Sequence, residues 1–135
     1  METSGNLDIG PCAKVLVLED EPLIATWLSR ALSGVGHSVR SVHTGAAFFD
    51  FVAAEPDWAQ VVLLDMSLPD IRGPQVYEQY APVREDLSWI ILTGNVHDPE
   101  IAEFERSGHQ VLGKPARVSE VRGAVARCLA VEELT

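Results

Sequence analysis

The chain reads as a doubly wound α/β fold, a parallel sheet of five strands in strict alternation with five helices, and three observations predict it. Short runs such as Val15 to Leu18, Val61 to Leu64 and Trp89 to Leu92 are apolar throughout, as strands must be when helices cover both faces of a sheet. Amphipathic stretches of helical period separate these runs, the pattern of βαβ units with right-handed crossovers. The length of 135 residues suits one core, and 47% apolar against 22% charged side chains is a globular balance.

The elements follow in order. Residues 1–13, small or polar with Gly5, Gly10 and Pro11, show no period and are expected to be a flexible tail, with residues 14–135 as the domain. The first strand, Val15 to Leu18, stops at Glu19, Asp20 and Glu21. Pro22 then opens a helix in which Ile24, Leu28, Ala31, Leu32 and Val35 share a face and which Gly34 and Gly36 close. Ser38 to His43 alternates Val39 and Val42 with polar residues, as in a strand near an edge. Thr44 N-caps a helix through Ala54, and Pro56 ends that unit. The third strand terminates at Asp65, and a loop from Met66 to Gly73 leads into a helix that Pro82 keeps short. Trp89 to Leu92 stops at Thr93. Asp98 and Pro99 start a helix that Gly108 ends, Gln110 to Gly113 is a short strand stopping at Lys114, and Val118, Val121, Val125, Cys128 and Leu129 mark one face of the last helix.

Twenty acidic against ten basic residues, a formal net charge of −10, argue against direct binding to nucleic acid, which needs clustered Lys and Arg. No basic stretch followed by an apolar segment opens the chain and the apolar runs are only strand length, so neither a secretory signal nor a membrane span is expected. Cys12 and Cys128 form no disulfide framework and are expected to be small apolar fillers near one another, which fits a reducing, cytoplasmic setting. His37, His43, His97 and His109 share no ligand spacing and are expected at the surface. Trp27 and Phe49 fall at the margins of their helical faces, where partial burial is expected and a docking role stays open.

In an open parallel sheet, ligands bind beyond the carboxyl ends of the strands. Strand one ends in Glu19 and Asp20, strand three in Asp65, strand four in Thr93 and strand five in Lys114, so three carboxylates, a hydroxyl and an ammonium converge on one crevice. Clustered carboxylates repel unless a cation lies among them. An oxygen-only set suits a hard ion such as Mg2+, while Thr93 and Lys114 suit an anionic phosphoryl group.

Val15 to Glu21 with its paired acids, Asp65 Met66 Ser67 Leu68 Pro69 Asp70 Ile71 Arg72 Gly73, Thr93 Gly94 and Lys114 Pro115, all in order from about Ala13 to Leu134, resemble the receiver domain of two-component response regulators. The resemblance implies a flavodoxin-like sheet of strand order 2-1-3-4-5. It implies that Asp65 accepts phosphate from a histidine of a partner histidine kinase or histidine phosphotransfer protein, and that Mg2+ is held by Asp20, Asp65 and the backbone carbonyl of Ser67, with Glu19 acting through water. Thr93 would hydrogen-bond the phosphoryl group, Lys114 would pair with it, and Lys114-Pro115 would be cis. The domain would assist its own phosphorylation rather than turn over a substrate as an enzyme does. No output domain is expected on this chain, whose downstream target is a protein the sequence does not identify. One departure stands out: many receivers carry Tyr or Phe three residues before the lysine, and here that residue is Val111. Two rival readings are a small Mg2+-dependent aspartyl-phosphate phosphatase, which would need a second Asp where Ser67 stands, and a docking module that takes up no phosphate.

Overall fold

The computed structural model describes residues 12–134, so of the tail expected over 1–13 the first eleven residues lie outside it. The elements run β1 (Lys14–Leu18), α1 (Pro22–Ser33), β2 (Ser38–Val42), α2 (Gly45–Ala54), β3 (Val61–Asp65), α3 (Gly73–Tyr80), β4 (Ser88–Thr93), α4 (Pro99–Arg106), β5 (Gln110–Gly113) and α5 (Val118–Leu134). All strand pairs are parallel, in the order β2-β1-β3-β4-β5. The sheet is the doubly wound one expected from the alternation, with the flavodoxin-like strand order that the resemblance implied. Among the described residues no helix is long and apolar enough to cross a membrane.

Alternate strand residues point to opposite faces, and this sorts the core into two clusters. Val15, Val17, Leu63, Ile90, Leu92 and Leu112 face α1 and α5, where Leu28, Leu32, Val121, Val125 and Leu129 meet them. Leu16, Leu18, Val62, Leu64, Trp89 and Ile91 face α2, α3 and α4 through Phe48, Val52, Val76, Tyr80, Ile101 and Phe104. The fully buried Phe48 stands edge-on to Phe49 and Tyr80 with centroids at 5.4 and 5.5 Å, so truncating it to Ala costs about 3–5 kcal/mol. Phe49 is thereby partial core, as expected. Trp27 remains 38% exposed on α1, beside Leu23 at 85%.

Helix ends follow the sequence signals. Thr44 Oγ1 accepts the Ala47 N–H and Asp98 the Glu100 N–H, while Gly36 turns the chain after α1 with φ 98°. The Lys114-Pro115 bond is cis.

Two histidines depart from the expected surface placement. His37 is buried, and its Nδ1 accepts the Ala13 N–H at 3.0 Å. His109 is half-buried with Nε2 2.8 Å from the Tyr77 hydroxyl. In both cases the ring supplies a hydrogen-bond partner to a polar group that packing removes from water, and burial holds both imidazoles below their usual pKa. Ala13 is itself buried, its carbonyl accepting the Ser38 N–H, which anchors the chain just before β1.

Candidate functional site

Parallel pairing aligns the carboxyl ends of β1, β3, β4 and β5 along one edge of the sheet, and the side chains that follow meet there. Glu19 and Asp65 are fully buried, Thr93 is buried and Asp20 is exposed at the mouth. One carboxylate oxygen from each of Glu19, Asp20 and Asp65 lies within 4.8 Å of the others. Lys114 bridges the two buried acids, its Nζ 3.1 Å from Glu19 Oε1 and 3.2 Å from Asp65 Oδ1.

The two oxygens of Asp65 differ. Oδ1 accepts the Ser67 N–H at 3.1 Å and faces Lys114, whereas Oδ2 is buried with no hydrogen-bond partner. A buried carboxylate oxygen without a donor costs free energy unless a cation or an incoming group satisfies it. Burial raises the Asp65 pKa despite Ser67 and Lys114. Burial and the Asp65 charge push Glu19 up to about 7 against the lowering effect of Lys114. One ammonium is too little for three crowded carboxylates. The residues fit a hard divalent cation: the donors are all oxygen, and one of them lacks a protein partner.

Thr93 Oγ1 does not reach into this cluster through any hydrogen bond. It donates to the Asn95 carbonyl at 3.2 Å and accepts the Asn95 N–H at 3.0 Å, a local turn at the start of the β4–α4 loop. The same Asn95 carbonyl accepts the Asp98 N–H, and Asn95 Oδ1 accepts the His97 N–H at 3.1 Å. The hydroxyl is thus a latch on the loop, and moving it toward the carboxylates would release Asn95. Lys114 is fixed to the same strand end by its N–H, 2.7 Å from the Thr93 carbonyl.

The structure brings Glu19, Asp20, Asp65 and Lys114 together and sets Thr93 beside Ser67 in an adjoining cleft with Arg72 and Asn95. Ser67 meets the cluster through its backbone. Val111, half-buried on β5, packs in the cluster that faces α4. Two residues near the site gave no signal of their own in the sequence. Arg72 at the N-cap of α3 pairs with Glu100 in the first turn of α4, and Asp70 reaches the start of α2. Long-range pairs of this kind leave no mark on spacing or period.

Comparison with known proteins follows the same lines. The family model for the response regulator receiver domain matches residues 15–126. The transcriptional regulator NtrC of Azospirillum brasilense is 28% identical over 118 residues, 87% of this chain and 24% of that protein. The response regulator MprA of Mycobacterium avium is 29% identical over 110 residues, 80% of this chain and 47% of that protein. This chain therefore spans between about a quarter and a half of these relatives. Among solved structures, a receiver domain from Clostridium thermocellum superposes with TM-score 0.82 at 22% identity, covering 90% of this chain and 98% of its own. The BeF3-activated DrrB receiver domain does so with TM-score 0.76 at 25% identity, covering 89% and 99%.

Proposed function

This chain belongs to the response regulator receiver domain family, and from that premise we propose that Asp65 is its phosphoacceptor, charged by the phosphohistidine of a histidine kinase or histidine phosphotransfer protein in the cytoplasm. The observation that carries this reading is the asymmetry of Asp65, with Oδ1 held by Ser67 N–H and Lys114 and Oδ2 buried without a donor. Transfer forms a bond from an Asp65 carboxylate oxygen to phosphorus and breaks the P–N bond of the donor, whose electron pair returns to the imidazole nitrogen.

Asp20, Asp65 and the Ser67 carbonyl would hold Mg2+, with Glu19 acting through water; when bound, the ion supplies the positive charge that lets these carboxylates share a crevice with a phosphoryl group. Lys114, already 3.2 Å from Asp65, neutralises charge on the transferring group. Thr93 exchanges its bonds to Asn95 for one to a phosphoryl oxygen, which frees the loop ahead of α4. Beside Lys114 an apolar cleft of about 400 Å3 opens between Leu23, Trp27 and Pro115. Its closeness to Lys114 makes it a docking surface for a partner bringing an imidazole to Asp65, and the exposed Leu23 and Trp27 suit an apolar helix face. No observation favours the phosphatase reading, since the residue two after Asp65 is Ser67 and offers no carboxylate.

The test is intact-mass measurement after incubation with acetyl phosphate. One phosphoryl group is expected on the wild type with Mg2+, and none on Asp65→Asn or in the presence of a chelator. Labelling of Asp65→Asn refutes the assignment, and a wild type that takes up no phosphate is a docking module instead.

A further inference from the structure

The loop between Asp65 and Gly73 carries the backbone of Ser67, and its middle is fastened to a different helix. Both carboxylate oxygens of Asp70 accept backbone N–H groups of α2, Oδ1 from Gly45 and Oδ2 from Ala46, each at 2.9 Å. The first turn of a helix leaves its N–H groups without intrahelical partners. In α2 the first three helical N–H groups are taken by side chains: Asp70 takes Gly45 and Ala46, and Thr44 Oγ1 takes Ala47. A carboxylate on two N–H groups at a positive helix end is a strong, directional contact, and those bonds hold Asp70 below the usual carboxylate pKa. The approach is close, because a Cβ on Gly45 would overlap Ile71 Cγ2. Further ties hold the loop near its ends, among them the Ser67 N–H on Asp65 Oδ1, the Gly73 N–H on the Met66 carbonyl at 3.1 Å and the Arg72–Glu100 ion pair.

We propose that Asp70 is a positioning residue for the Asp65 site: by clamping the middle of the β3–α3 loop to the N-terminus of α2, it fixes the Ser67 backbone against Asp65 in the arrangement that receives the metal and the phosphoryl group. The proposal rests on the reading of Asp65 as phosphoacceptor. Without the clamp the middle of the loop loses its hydrogen bonds to α2 and keeps only the packing of Leu68 and Ile71, the Ser67 carbonyl becomes freer to turn, and cation affinity falls while the carboxylates themselves are untouched. Supporting groups one layer behind metal ligands typically carry a ten- to hundredfold effect on affinity.

The experiment separates positioning from plain capping. Thr44→Ala removes a cap from the same end of α2 whose hydroxyl bonds the Ala47 N–H rather than the β3–α3 loop, so it reports the cost of a weakened helix end. MgCl2 is titrated calorimetrically into unphosphorylated wild type, Thr44→Ala, Asp70→Ala and Asp70→Asn, and acetyl phosphate labelling rates are measured on the same four proteins. Asp70→Ala is expected to bind Mg2+ about tenfold more weakly and to label more slowly, Thr44→Ala to stay within about twofold of wild type, and Asp70→Asn, which keeps one acceptor oxygen, to fall between. If Asp70→Ala does not fold, Asp70→Asn carries the comparison. Equal Mg2+ affinity and labelling in the Asp70 variants and Thr44→Ala overturn the proposal and leave the receiver reading intact. A wild type that neither binds Mg2+ nor labels overturns the reading itself.

Discussion

Gly73 opens α3 directly beneath the site, and replacing it by Ala tests how rigidly Asp65 is held. A Cβ built there lies 2.6 Å from the Asp65 carbonyl oxygen and 2.7 Å from Met66 Cα. Ordinary separation between carbons is about 3.5 Å, so one backbone must retreat by roughly 0.8 Å. Little slack exists. Met66 is tied to β4 by its N–H on the Leu92 carbonyl at 3.0 Å, and Asp65 ends a fully buried central strand. The yielding contact is the Gly73 N–H to the Met66 carbonyl, 3.1 Å long. Overpacking costs about 1–3 kcal/mol and a stretched hydrogen bond about 1 more, while the reduced freedom of the unfolded chain returns somewhat under 1. The net loss is about 1–3 kcal/mol, a fall in Tm of roughly 4–12 °C for a domain of this size. Gly94→Ala is the control, since a Cβ there meets nothing within 4 Å. Urea unfolding followed by circular dichroism gives the stability, and intact-mass kinetics with acetyl phosphate give the labelling rate. Gly73→Ala should lose both and Gly94→Ala neither. Stability and rate for Gly73→Ala within about 0.5 kcal/mol and twofold of wild type would show that the Asp65 backbone adjusts freely, contrary to this reasoning.

Three further outcomes are expected. Because burial and the Asp65 charge raise Glu19 to about 7 from 4.5, its contribution to stability is complete below about pH 4.5 and is lost as pH rises through 7; in chelator this amounts to at most about 3 kcal/mol between those limits. Glu19→Gln should flatten that slope, and an unchanged slope in denaturant titrations at pH 5, 6.5 and 8 assigns it to another group. Leu23→Ala combined with Trp27→Ala should slow phosphotransfer from a partner kinase at least tenfold while leaving acetyl phosphate labelling unchanged, whereas equal slowing with both donors excludes the cleft as a docking surface. With beryllofluoride and Mg2+, amide exchange should change over Thr93 to Asp98, where Thr93 lets go of Asn95, and little at Val111, a stiff β-branched residue with no ring to turn; changes confined to Val111 and α5 refute that route.

The sequence by itself determined the elements and their order, because apolar runs without alternation fix central strands and Pro, Gly, Thr44 and Asp98 mark helix ends through local backbone chemistry. It also determined the composition of the crevice, since parallel strands must deliver Glu19, Asp20, Asp65, Thr93 and Lys114 to one sheet edge. These are local or topological facts. What the tertiary structure decided depends on partners distant along the chain. It turned His37 from a surface residue into a buried acceptor for Ala13, and it placed the Lys114 ammonium between the Glu19 and Asp65 carboxylates. It folded the Thr93 hydroxyl onto Asn95, and it sent Asp70 across to Gly45 and Ala46. A hydrogen bond is won by whichever donor and acceptor packing leaves within about 3 Å, and that outcome is settled only when every element has docked.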